Sequence, residues 1–248
     1  MKSGVKIIII IFILCQSLLS QYMLIPMDLE QRNHLKAYGI AYKAIQSGGK
    51  SEWLLNYRGG SFICPSIPTL MKMATIANVH FEEIDGSALN HIYSQLEQNN
   101  MERIILEKAP EIAVYAPSYY QPWDDAVMMA LEYAEIPYTR IYDDEVLAGK
   151  LGKYDWLHLH HEDFTGQYGK FYANYKNADW YIKQKAFLES LAEKHRFSSV
   201  ASLKQTIAKE IADYVSKGGL LFAMCSATDA LDIALSAYGI DIVESPFD

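Results

Sequence analysis

The 248-residue chain is poor in cysteine, in basic charge and in long apolar runs. Three cysteines are too few for a disulfide scaffold. Twenty-two Lys and Arg against 30 Asp and Glu leave a net charge of -8, the opposite of the basic excess of nucleic-acid binders, so no nucleic-acid partner is expected. There is no usable internal repeat, no low-complexity linker, and no glycine loop of full phosphate-binding spacing followed by lysine. The one long apolar run, Val5 to Leu14, is too short to span a bilayer as a stable helix. What remains is a 50% hydrophobic chain, too apolar for disorder and long enough for one large domain or two small ones.

That apolar run follows Lys2 and Lys6 and leads into Ser17-Leu18-Leu19-Ser20-Gln21. A positive start, an apolar middle and a small residue before a polar one make a secretory signal over residues 1–20, cleaved near Ser20. The expected location is therefore periplasmic or envelope-associated. A lipid on Cys15 is the competing reading, but Phe12-Ile13-Leu14 lacks the small residues expected before a lipidated cysteine. Cleavage would take the charge to -10 and leave Cys64 and Cys225, either as a pair or as free thiols.

Beyond the leader the chain alternates between apolar runs and helical periodicity. Strands are expected at Tyr22–Pro26, Trp53–Tyr57, Ile112–Ala116, Tyr138–Tyr142, Trp156–His160, Leu220–Met224 and Asp241–Glu244. Between them lie a helix from Asn33 with Leu35, Tyr38, Tyr42 and Ile45 on its apolar face, helices over Leu70–Val79, Leu89–Leu96 and Asp124–Glu135, and one after Ser202 burying Leu203, Ile207, Ile211 and Tyr214. A last helix spans Asp229–Ala237. Wholly apolar strands separated by helices imply an α/β fold with a mostly parallel, doubly wound sheet covered on both faces. A boundary near Lys108-Ala109-Pro110 divides an N-terminal segment, 21–108, from a second α/β domain, 109–248. The chain ends at Ser245-Pro246-Phe247-Asp248 without a closing helix, which reads as a C-terminally incomplete fold.

Two constellations carry chemistry. Gly218-Gly219-Leu220-Leu221-Phe222-Ala223-Met224-Cys225 puts a thiol at the end of a strand and directly before a helix. Such a turn exposes the sulfur at the sheet's carboxyl edge, where open α/β folds bind ligands; the helix end favours thiolate and its N–H groups can hold an oxyanion. The bland alternative is a small buried cysteine closing a strand. The second is Trp156-Leu157-His158-Leu159-His160-His161-Glu162-Asp163. His158 and His160 point the same way in a strand, as two imidazoles of a divalent-metal site would, with Glu162 or Asp163 as a third ligand. Alternatively His160 or His161 serves as base for Cys225, with Glu162 or Asp163 orienting it, or the group is a plain polar network. No cofactor other than this possible divalent metal is expected.

The helix, glycine pair, apolar strand and cysteine around 218–225, with Tyr154–Leu159 before them, resemble the class I glutamine-amidotransferase-like superfamily over roughly residues 110–240. Leu54–Phe62, Gln121–Asp125 and His158–Gln167 look like a family of exported bacterial proteins often labelled asparagine synthetase B, across the whole mature chain. The resemblance implies the amidotransferase-like fold and a cysteine-dependent amide hydrolase or transferase with Cys225 as nucleophile. The chain departs from that pattern at Ala223 and Ala227, where glutaminases have glycine, and at His160–Asp163, where they have an oxyanion-binding glycine pair. It also lacks the exposed N-terminal cysteine and the ATP loop of asparagine synthetase itself.

Three weaker signals complete the candidate binding residues. Arg58-Gly59-Gly60-Ser61 can hold an anion or be a plain turn; Asp124 and Asp125 can face a ligand or cap a helix. The aromatic run Phe164 to Tyr181 can line a carbohydrate or peptide groove or simply pack over the sheet. The expected partner is thus a small molecule, peptide or carbohydrate. The leading function is a thiol-dependent amide hydrolase or transferase, and the alternative is a non-catalytic envelope binding protein on the same fold.

Overall fold

The fold is that of a computed structural model, which describes residues 22–119, 125–243 and 247. The expected leader with Cys15, the stretch 120–124 with candidate ligand residue Asp124, and Glu244 of the expected last strand lie outside the described residues. The chain divides into two compact units between Ala109 and Pro110, with Ala130–Ile136 grouped with the first.

The first unit is built on an antiparallel sheet, which corrects the expectation of a doubly wound parallel one. Its strands are β1 (Tyr22–Ile25), β2 (Ser51–Leu55), β3 (Ser61–Pro65), β4 (Glu82–Ile84) and β5 (Glu102–Leu106), in the order β4-β1-β3-β2-β5. Every pairing is antiparallel. The turn between β2 and β3 explains why: a parallel pair needs a crossover of a dozen residues or more, and residues 56–60 permit only a hairpin. Four of those five residues have positive φ, at Asn56, Arg58, Gly59 and Gly60. At Gly59 a Cβ would lie 2.4 Å from the Met27 carbonyl oxygen, so the glycines of the predicted anion loop serve the turn's close approach. β3 to β5 escape a search for buried strands because β4 and β5 carry charged residues and β3 directly follows a glycine-rich turn.

Helices α1 (His34–Gln46) and α2 (Pro68–Ile76) cover one face of this sheet, packing Ala37, Ile40, Ala41 and Leu70 against Met23, Ile25 and Phe62. Helix α3 (Gly86–Gln98) covers the other, with Leu89, Ile92 and Leu96 on Leu24, Leu54 and Ile63. Alternate residues of β1 thus point to opposite cores. The Asn33 side chain caps α1 by accepting from the Lys36 N–H at 3.2 Å. The buried face of α1 is rotated from the expected one: Leu35 and Tyr38 are exposed, and small residues take the sheet side. Alanines let the helix axis approach the sheet closely, which larger side chains would prevent.

The second unit is α/β with a parallel sheet. Strands β6 (Ile112–Tyr115), β7 (Thr139–Ile141), β8 (Trp156–Leu159) and β9 (Leu220–Ala223) run in the order β7-β6-β8-β9, all parallel. They alternate with α4 (Ala126–Ala134), α5 (Asp143–Leu147), α6 (Gly169–Tyr175), α7 (Asp179–Lys194), α8 (Val200–Ser216) and α9 (Ser226–Ser236). Helix α4 starts in this unit, and its last turns group with the first. Tyr115, Leu157 and Leu159 pack against Leu203, Ile207 and Ile211 of α8, the stripe expected from their spacing. Each fully buried leucine here contributes about 1.5–3 kcal/mol.

Two expectations fail in this unit. β9 is not buried on both faces: Leu220 and Phe222 are 62% and 50% exposed. Among the described residues it pairs with β8 alone, and its Leu221 and Ala223 join the core to which α9 contributes. Residues 241–243 do not form the expected strand. Among the described residues no helix is long and apolar enough to cross a membrane.

Candidate functional site

The strand order of the second unit reverses direction between β6 and β8, since β7 lies on one side of β6 and β8 with β9 on the other. Open parallel sheets bind ligands at such a point, beyond the carboxyl ends of the strands. Three chemistry-bearing segments follow those ends. Asp125 lies after β6, His160 to Asp163 after β8, and Cys225 after β9.

Met224 and Cys225 link β9 to α9, and the Cys225 backbone sits at φ 52°, ψ -135°. That combination is neither helical nor left-handed helical, and for a residue with a Cβ it costs of the order of 1–3 kcal/mol. The surrounding bonds hold it there. The Met224 N–H donates to the Leu159 carbonyl at 2.9 Å, the Ser226 hydroxyl to the His161 carbonyl at 3.0 Å, and the Thr228 hydroxyl back to the Cys225 carbonyl at 2.7 Å. The thiol is free and exposed at the N-terminus of α9. Cys64 is also a free thiol, but it is fully buried, and burial pushes it up to about 12, a value the Ser51 hydroxyl only partly offsets. The two cysteines are not paired.

The histidines in and after β8 divide into an inward and an outward set. His158 is completely buried, stacks on Phe222 with ring centroids 5.8 Å apart, and has no hydrogen-bond partner on either ring nitrogen. Burial holds its imidazole below the ordinary value, although the Asp125 charge acts the other way, so the ring is neutral at pH 7. His160, two residues on, keeps to the same side, with its ring 6.0 Å from that of His158. Its Nδ1 lies 2.6 Å from Oδ2 of Asp125. His161 is exposed and stacks on His160 at 3.6 Å between centroids.

Asp125 is therefore the acid that meets an imidazole, a role expected of Glu162 or Asp163. Its Oδ1 accepts from the Val127 and Met128 N–H groups at 2.7 and 2.9 Å, capping α4. Burial works to raise its carboxyl, but the Met128 N–H, His160 and the Val127 N–H outweigh it and the carboxyl lies below the ordinary value. Glu162 instead accepts from the His160 backbone N–H at 3.1 Å, and burial pushes its carboxyl up. Asp163 accepts from the backbone N–H and hydroxyl of Thr165. In sequence, Asp125 stands 35 residues from His160, so only the adjacency of β6 and β8 brings the two together.

Beside the thiol turn lies a cleft of about 740 Å³ lined by Tyr119, His161, Phe171, Trp180, Phe187 and Ser226. The aromatic segment after β8 thus supplies two of its walls. A smaller cavity of about 80 Å³ shares Tyr119, His161 and Phe171 and reaches Glu162, Asp163 and Lys204. Lys204 is the residue that the sequence reading passes over. It is buried on α8, with Nζ 2.8 and 2.9 Å from the two oxygens of buried Asp143 and 3.0 and 3.1 Å from the Tyr115 and Tyr142 hydroxyls. Tyr115 also donates to Asp143. A lysine beside Leu203 inside an otherwise apolar stripe is the signal that would have found it.

The predicted anion loop is not part of this constellation. Arg58 belongs to the first unit and its guanidinium is shared among Asp28, Glu82 and Glu30 at 2.8, 2.6 and 2.7 Å. Three carboxylates around one cation leave local negative charge, which disfavours an added anion. Gly59 and Gly60 shape the hairpin, as described above.

Fold and site together define a parallel α/β unit with a strained cysteine turn and a His–Asp cluster at the sheet's switch point. No family model matches the chain, and neither a curated protein nor a solved structure matches it.

Proposed function

We propose that the second unit is a thiol-dependent hydrolase or transferase acting on an amide-type substrate, with Cys225 as nucleophile and an amidotransferase-like arrangement of its sheet. The observation that carries this reading is the backbone of Cys225. A disfavoured conformation imposed on a cysteine at a strand-to-helix turn is how such folds aim a nucleophile at solvent, and strain of this kind persists where function requires it. His161 is the candidate base by placement, since it lines the same cleft as Ser226, the neighbour of Cys225. His160 and Asp125 stand behind it as the pair that fixes the stacked imidazole.

The chemistry runs in two halves. The imidazole takes the thiol proton, the sulfur attacks the amide carbonyl carbon, and the Ser226 amide at the start of α9 donates to the developing oxyanion. Collapse expels the amine, which takes the proton from the imidazolium, and leaves a thioester. Water or an acceptor amine then attacks that thioester and restores the thiol. The aromatic lining of the cleft suits the apolar part of a peptide-like or carbohydrate-bearing substrate.

Iodoacetamide labelling across pH tests the proposal, with Cys225→Ser as the background. At pH 6 the wild-type thiol is expected to label roughly tenfold faster than a free model thiol, which is almost wholly protonated there, and His161→Ala is expected to remove most of that advantage. Labelling of Cys225 at the rate of the model thiol would end the nucleophile reading and favour a non-catalytic binding protein. An unchanged rate in His161→Ala would remove His161 as base.

A further inference from the structure

The buried ring of His158 has no part in the thiol chemistry, and it lies beside the bonded pair His160 and Asp125. We infer that these three residues form a binding site for a divalent transition metal ion of the zinc class. One ligand atom from each lies within 4.8 Å of the other two.

The first argument is the unsatisfied ring. His158 has zero exposed surface and two ring nitrogens without a partner. An unpaired buried polar group costs about 1–3 kcal/mol, and native structures rarely keep one without a reason such as a bound ion. Phe222 stacks on the ring and its backbone also acts on it, but one backbone group can serve only one of the two ring nitrogens.

The second argument is the ligand geometry. A tetrahedral site with metal–ligand distances near 2.0–2.1 Å places its ligands about 3.4 Å apart. His160 Nδ1 and Asp125 Oδ2 stand 2.6 Å apart, and no two of the three ligand atoms are more than 4.8 Å apart, close enough to share one ion. The Asp125 carboxylate is already oriented, since two backbone N–H groups hold its other oxygen, which is the outer support that metal-binding carboxylates typically have. Two imidazoles and one carboxylate are a borderline donor set, suited to zinc, ferrous iron or cobalt rather than to calcium or magnesium. Three ligands leave a coordination position open, and the partial exposure of the His160 side chain puts it within reach of solvent.

The other acid–histidine group among the described residues, Glu30, His80 and Glu82, differs on each count. It is solvent-exposed, its carboxylates already hold Arg58, and His80 Nε2 stands 3.9 Å from both. A resident guanidinium explains that cluster, and it supplies the control.

The test uses the full chain stripped with a chelator and titrated with zinc, with cobalt absorption as a second readout. Wild-type protein is expected to bind one equivalent saturably. His158→Leu, which keeps the ring's pocket filled with an apolar side chain, and Asp125→Asn are expected to weaken binding by roughly 100-fold or more. His160→Ala, at a part-exposed position, gives the same comparison if a buried substitution fails to fold. His80→Ala and Cys225→Ser are expected to bind as wild type. Absence of saturable binding, equal affinity in His158→Leu and wild type, or loss of binding in His80→Ala or Cys225→Ser would each overturn the assignment. Because the thiol is read by alkylation and the metal by titration, either proposal can fail while the other stands.

Discussion

The two units differ in where their largest charge clusters lie. In the first, the polar clusters sit at the surface: Arg58 with three carboxylates, and Glu135 with Lys36 and Lys43, where the Glu135 side chain is 57% exposed. In the second, the clusters near the carboxyl end of the sheet are buried: Lys204 with Asp143 at 2% and 0% exposure, His158 at none, Asp125 against His160, while Asp144 with Lys194 and His195 stays at the surface. Surface pairs are worth little and cost little, so they carry no implication of function. Buried charges are expensive and need nearly complete compensation, and a fold that gathers several at one end of a sheet is spending stability on a site. The sheets explain where each arrangement arises. A hairpin-linked antiparallel sheet returns its chain within a few residues, whereas parallel strands send long connections across the same edge.

The largest expected effect tests that contrast directly. Asp143→Ala leaves Lys204 charged in a dry environment and is expected to destabilise the second unit by about 3–5 kcal/mol, against less than about 1 kcal/mol for Arg58→Gln in the first. Hydrogen exchange of the α8 and α1 amides, measured in both variants, reads the two units separately. Equal losses in protection would break the comparison.

A smaller effect, of opposite sign, concerns the thiol turn. Glycine adopts φ 52°, ψ -135° without the Cβ penalty, so Cys225→Gly is expected to stabilise the second unit by about 1 kcal/mol while abolishing alkylation at this position. Cys225→Val is expected to destabilise it. A glycine variant no more stable than wild type in urea unfolding would show that the turn stores no strain.

The smallest effect belongs to the first unit. Lys36, and after it Lys43, hold the Glu135 carboxyl down to about 2, against an ordinary value of 4.5. Because the folded value lies below the unfolded one, this contribution is complete above about pH 4.5 and is lost as pH falls toward 2. Solvent screening keeps it below about 1 kcal/mol. Glu135→Gln is expected to flatten that part of the acid-unfolding profile, and high salt to do the same to wild type. A profile unchanged by the substitution would remove Glu135 from the account.

Legibility differs between the units for the same reason. Leu203, Ile207, Ile211 and Tyr214 were readable as a buried stripe because helical periodicity is a local property, and Cys225 was readable as a turn residue because a glycine pair, an apolar strand and a helix surround it. Asn33 as the cap of α1 was equally local. The antiparallel pairings were not: β4 and β5 both open on charged residues, and a strand's direction is set by its partner. Within the candidate site, the adjacency of His158 and His160 was visible in the alternation of a strand, but the acid that completes the group was sought among their neighbours in sequence, at Glu162 and Asp163. Those two turned to the His160 backbone and to Thr165.

By itself, then, the sequence determined the parallel α/β character of the second unit, the position of its thiol at a strand end and the shared side of two histidines. These follow from periods of two and 3.6 residues and from turn chemistry, which act over a few positions. Only the tertiary structure decided that Asp125 joins His160, that Lys204 and Asp143 meet in the core, that Arg58 is spent on three acids, and that the first sheet is antiparallel. Each of those depends on which strands lie side by side, a choice made by the burial of whole faces rather than by any residue's immediate neighbours.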